Sequence, residues 1–136
     1  MNIIRRTKEI MLLTFLIIFL QNICNGQDYT KSYLGESRKD ILNKIGSYQS
    51  FSSTDTSLII IVEDSIWECF WFDNRQLCTG MMLTAPTHGV ALKLTKAFNA
   101  DSRFLWNEFY HSWDAAKVRV YLTVEGGIRY FKFQKK

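Results

Sequence analysis

Ser57-Leu58-Ile59-Ile60-Ile61-Val62-Glu63 opens a stretch that runs to Thr84 and decides the fold. Its five consecutive apolar residues, four of them β-branched, are too few for a helix and too stiff at χ1 to favour one, so the run reads as a buried strand. Asp64-Ser65 then turns the chain into Ile66-Trp67-Glu68-Cys69-Phe70-Trp71-Phe72, a second set of strand formers that ends at Asp73-Asn74. Gln76 to Thr84 is the third strand of an antiparallel meander.

The register of the second hairpin depends on its turn. A two-residue loop at Asp73-Asn74 places Phe72 opposite Arg75, Phe70 opposite Leu77 and Cys69 opposite Cys78, on a non-hydrogen-bonded pair where strands approach most closely. A disulfide between Cys69 and Cys78 is geometrically possible there. A four-residue turn instead sets Cys78 opposite Trp71 and leaves the cysteines diagonal.

Outward from this meander, the N-terminus reads as a leader. Arg5, Arg6 and Lys8 precede Ile10 to Leu20, an apolar run broken only by Thr14, and Cys24-Asn25-Gly26 offers small residues for cleavage. Eleven residues fall well short of the roughly 20 that span a bilayer, so residues 1–26 are expected to be a cleaved secretory signal. A lipid-modified Cys24 fits poorly, because bulky Ile23 precedes it. Loss of the leader removes three basic residues and Glu9, and lowers the net charge from +4 to +2 over the remaining 110 residues. So small and interspersed a charge gives no electrostatic case for nucleic acid. Export to an oxidising compartment favours a Cys69–Cys78 bridge, which would close a short loop and stabilise by about 2–3 kcal/mol.

Residues 27–33 read as a polar arm, and residues 34–136 as a single α+β domain. Ser37 and Asp40 form a capping-box-like pair, Ile41, Leu42 and Ile45 share one side, and Gly46 stands at a C-cap position, which predicts a helix of about ten residues. Ser47 to Thr56 is expected to be a linker.

The run Leu34-Gly35-Glu36-Ser37-Arg38-Lys39-Asp40-Ile41-Leu42-Asn43-Lys44-Ile45-Gly46, followed by a strand and by Trp71-Phe72-Asp73-Asn74-Arg75-Gln76-Leu77-Cys78, resembles the opening of small exported α+β modules. These are the SmpA/OmlA outer-membrane-assembly lipoproteins and the β-lactamase-inhibitor-protein fold. The whole chain also looks like secreted proteins of Bacteroidetes-type bacteria. The resemblance covers about half the mature chain and implies an exported protein that binds other proteins. Ser47 stands where the family pattern has a proline after its second glycine.

After Pro86, Val90, Leu94, Ala97 and Phe98 recur at helical spacing, and a second helix is expected over Gly89 to Phe98. Arg103 to Trp113 fits either a helical face or an extended segment, and its aromatic density favours the extended form. Lys117–Val124 and Ile128–Gln134 make a last hairpin around Gly126-Gly127, with Val118, Val120, Leu122, Phe131 and Phe133 on one face and Arg119, Tyr121, Thr123, Tyr130 and Lys132 on the other. The expected architecture is an antiparallel sheet of about five or six strands with two helices, in the order α-β-β-β-α-(β)-β-β.

Both faces of the first meander are apolar, since Trp67, Trp71 and Met82 lie opposite to Ile66, Phe70, Leu77, Met81 and Leu83. One face of such a sheet ordinarily packs under helices and the other against a further segment or subunit. The functional reading is an exposed surface with Trp67, Trp71, Tyr121 and Tyr130 as anchors and Arg119 and Lys132 at its rim, binding a protein partner. A runner-up is an envelope-glycan binder or hydrolase, for which Glu63, Asp64, Glu68 and Asp73 supply carboxylates. Three of these stand at predicted turns, where acids serve backbone geometry. His88 and His111 have no zinc-spaced companions, and no phosphate loop or cofactor motif is present. The expected protein is therefore a non-catalytic interaction module, secreted or periplasmic, with no cofactor and no metal.

Overall fold

The computed structural model of the chain describes residues 6–14, 29–45, 49–62 and 66–136. Their elements are α1 (6–14), α2 (Arg38–Ile45), β1 (Gln49–Ser53), β2 (Ser57–Ile61), β3 (Trp67–Phe72), β4 (Cys78–Ala85), α3 (His88–Ala100), β5 (Leu105–Asn107), β6 (Ser112–Asp114), β7 (Val118–Glu125) and β8 (Ile128–Lys135). The fold is α+β, and its strands form one antiparallel sheet in the order β1-β2-β3-β4-β8-β7-β6-β5. A helix followed by a four-strand meander thus occurs twice, and the two meanders meet where β4 pairs with β8.

Eight strands and three helices among the described residues correct the expected five or six strands and two helices. The Ser-rich segment read as a linker contains β1, an edge strand whose backbone is satisfied by pairing with β2. The ambiguous segment before Trp113 is extended, but as two strands of three residues separated by residues 108–111, too short to show a period. The third helix, α1, lies inside the predicted leader, and its side chains are exposed. No helix among the described residues is long and apolar enough to cross a membrane.

Local signals set the other two helices. The Ser37 hydroxyl accepts from the Asp40 amide at 3.2 Å, and Ile41 and Ile45 turn into the core. The expected glycine cap at Gly46 lies outside the described residues. At α3 the Thr87 side chain caps the Val90 amide, and Ala91, Leu94 and Phe98 are buried.

Phe98 is the point where α3 meets the second meander. Its ring stacks on Trp113 at 5.2 Å and Phe131 at 5.7 Å between centroids, and contacts Phe104 edge-on at 5.3 Å. The segment expected to be a polar arm joins this core: Tyr29, Thr30 and Tyr33 are buried, Tyr33 meets Phe70 edge-on, and the Thr30 hydroxyl donates to Asp101 at 2.6 Å. Two tyrosines in the otherwise polar residues 27–33 are too few to specify a helix or strand face, so their burial depends on the sheet beneath them.

The β3–β4 connection differs from the two-residue loop. Phe72 pairs with Cys78, so residues 73–77 form the turn, with Gln76 in the left-handed region at φ 60° and Asp73 accepting from the Arg75 and Leu77 amides. Thr79 is an extra residue between the Trp71–Gly80 and Phe72–Cys78 pairs. Cys69 consequently faces Met82 rather than Cys78, and both cysteines are free buried thiols. They lie on opposite sides of the sheet, because Cys78 shares the Phe72 face and Cys69 the Trp71 face. The expected disulfide therefore has no geometry in this register.

Burial pushes the Cys78 thiol up to about 11 and raises Cys69 as well. In a Cys24→Ser chain, iodoacetamide at pH 8 should label neither cysteine in the folded protein and both after guanidinium unfolding, which mass spectrometry reads directly. Phe98→Ala should destabilise by about 3–5 kcal/mol in denaturant unfolding, because it removes the ring shared by α3, β6 and β8.

Candidate functional site

A strand's two-residue period forces alternate side chains to opposite sides, and both α2 and α3 occupy the same side. On the other side, Ile61 faces Trp67, Trp67 faces Thr84, Thr84 faces Tyr130 and Tyr130 faces Thr123. The adjacent row is Ile59, Cys69, Met82, Lys132, Tyr121 and Ser112. A third carries Ser57, Trp71 and Gly80 at the β2–β4 end and Gln134, Arg119, Asp114 and Leu105 at the β5 end. Trp67, Trp71, Arg119, Tyr121, Tyr130 and Lys132 are thus brought onto one sheet face across β3, β8 and β7. No helix among the described residues packs on it.

Two local devices shape its aromatic end. Gly80 lies under the Trp71 indole, where an added Cβ would meet the ring at 3.3 Å, so a side chain at Gly80 would push the ring away from the sheet. Trp71 remains 43% exposed. Phe51 occupies the irregularity of β1 between Ser50 and Ser52, and its ring reaches Trp67 at 4.7 Å between centroids. Sequence reading missed Phe51, since a lone aromatic in a serine-rich stretch carries no period. It is 59% exposed and extends the patch to the sheet edge.

The opposite end is polar and held together internally. Arg119 donates to both oxygens of Asp114, at 2.8 and 2.9 Å, and stacks 4.0 Å over the Tyr110 ring. Ser112 and Asn107 also donate to Asp114, and Arg119 reaches the Tyr121 hydroxyl at 3.4 Å. The guanidinium's hydrogen bonds hold the Asp114 carboxyl well below the usual range against the opposing effect of burial, with Ser112 and Asn107 adding to them. The Arg119 guanidinium is raised in turn, first by Asp114. Such a fork-to-fork pair fixes Arg119 as a flat platform rather than a mobile charge. Tyr110 and exposed Phe109, on the β5–β6 turn, were not among the expected anchors because their segment had no assigned face.

Lys132, by contrast, stands between Met82 and Tyr121, and no carboxylate among the described residues bridges it. Among the described residues, the face therefore offers one available cation amid aromatic and aliphatic groups.

The carboxylates considered for glycan cleavage do not converge. Glu68 is fully buried on the helix side between Ile60 and Leu83, and Asp73 is committed to its turn. Glu63 and Asp64 lie outside the described residues. His88 and His111 are exposed on separate elements. No group of three or more His, Cys, Asp or Glu among the described residues is placed to hold a metal ion. The chain matches no family model, no curated protein and no solved structure. Nothing in these comparisons supports a catalytic function.

Asp114 couples the stability of the fold to pH. Its folded pKa is depressed, so its contribution to stability is present above the ordinary carboxylate range and is lost as pH falls through the folded value. Asp114→Asn should lower stability most at neutral pH, and the gap to the unsubstituted chain should close on acidification toward pH 2, as measured by urea unfolding across pH.

Proposed function

We propose that the protein is an exported, non-catalytic interaction module that binds a protein partner through the sheet face opposite its helices. The observation that carries this reading is the placement of Trp67, Trp71, Tyr121, Tyr130, Arg119 and Lys132 on that one face, with no helix of the described residues over it. Aromatic side chains contribute large contact areas at low entropic cost, and a guanidinium locked by Asp114 contributes a preorganised one. The leader-like residues 1–26 support export to the periplasm or the medium, and the resemblance to SmpA/OmlA and β-lactamase-inhibitor-type modules points the same way.

A glycan ligand is the second reading, favoured by one observation: the Trp71 ring lies along the sheet over Gly80, as a platform for a sugar ring does. Binding without cleavage is its form, because Glu68 and Asp73 do not face a common space.

The test is a crosslinking pull-down from the cell envelope of the source organism, run with the unsubstituted domain and with a folded Trp71→Ala, Tyr121→Ala variant. A defined protein recovered with the former and lost with the latter is the expected result. Glycan fragments in place of protein would transfer the face to the second reading, and equal recovery by both forms would remove it as a binding surface.

A further inference from the structure

A cleft of about 500 Å³ lies on the helix side of the sheet, away from the aromatic face. Its lining joins the segment before α2 (Thr30, Lys31, Ser32) to Arg103, Phe104 and residues 115–118. The volume falls within the roughly 300–1,000 Å³ of small-molecule sites. Phe104 and Val118 are buried, and Ala115 and Ala116 are too small to fill the space above them.

The charged residues that line this apolar cleft, Lys31, Arg103 and Lys117, are all basic. Arg103 is already bridged to Asp101, which its hydrogen bonds hold far below the usual carboxylate range. Lys31 and Lys117 remain: no carboxylate among the described residues bridges either. The Lys31 ammonium rests 5.0 Å from the Tyr33 ring centroid, which holds that group in place at the mouth of the cleft. The Ser32 hydroxyl accepts from the Leu34 amide, so its proton is available to an anion.

We propose that this cleft binds a small amphiphilic anion, with an alkyl or acyl chain on Phe104, Ala116 and Val118 and a carboxylate or phosphate head at Lys31 and Lys117. A neutral apolar ligand leaves the two ammonium groups unanswered, and a bare phosphate leaves the apolar floor in water. Only a ligand carrying both parts complements both features. The site is independent of the partner-binding face, since Val118 belongs to the helix side of β7.

Titration calorimetry of the full chain at neutral pH, with decanoate, decyl phosphate, decanol and inorganic phosphate below micellar concentrations, tests the assignment. Decanoate and decyl phosphate should bind one to one, decanol roughly tenfold more weakly, and inorganic phosphate not measurably. Each methylene removed from the acid should cost about fourfold in affinity. Lys31→Gln, Lys117→Gln should weaken decanoate about tenfold and leave decanol unchanged. Equal binding of decanol and decanoate, no response to the double substitution, or no binding would overturn the proposal. In the unsubstituted chain, nuclear Overhauser contacts from decanoate should reach the Phe104 ring and the Val118 methyls. Contacts confined to the exposed apolar residues of α1, or to Trp71 and Tyr121, would overturn it equally.

Discussion

The pairing of β4 with β8 is the constraint on which the molecule depends. It joins strands from two separate helix–meander units, with Met81 opposite Phe133 and Leu83 opposite Phe131, and makes one sheet of two meanders. These side chains form the floor on which α3 lays Phe98, so the long-range ladder and the aromatic stack support each other. Neither α2 nor the three-residue strands β5 and β6 are long enough to persist alone. Burial against a common floor stabilises them together.

The same pairing determines what the other side of the sheet displays. With α2 and α3 on one side, the strand period leaves Ile59, Trp67, Trp71, Met82, Tyr121 and Tyr130 facing away from them. A soluble sheet ordinarily shows polar groups there. Here the polar groups are concentrated at the β5–β7 end, where Asp114 gathers Arg119, Ser112 and Asn107, while the β1–β3 end is aromatic. Such a gradient from an apolar end to a rigid charged end would hold the proposed partner in one orientation.

The cysteines illustrate how one turn redistributes chemistry. Five residues in the β3–β4 connection and the extra Thr79 move Cys78 onto the core face, and Cys69 stays on the other. Two thiols that a tighter turn would join become separate, buried groups of raised pKa.

Much of this was legible in the chain itself. The β-branched run at Ser57, the glycine pair at Gly126-Gly127 and the cap at Ser37 act over a few residues, and the period of two assigned Trp67, Trp71, Arg119, Tyr121, Tyr130 and Lys132 to a shared side of their hairpins. The sequence by itself therefore determined the α+β class, the type of its strongly patterned elements and the faces of most strands. Only the tertiary structure decided the rest. The extended backbone of Gln49–Ser53 is stabilised by a neighbour's hydrogen bonds, and the burial of Tyr29 and Tyr33 by a core assembled from distant residues. The register of Cys78 follows from a turn whose left-handed residue is Gln76, a position no local preference selects. Local signals encode periods and caps; pairing between strands far apart in the chain is encoded in none of them, because it depends on surfaces that exist only once those strands have met.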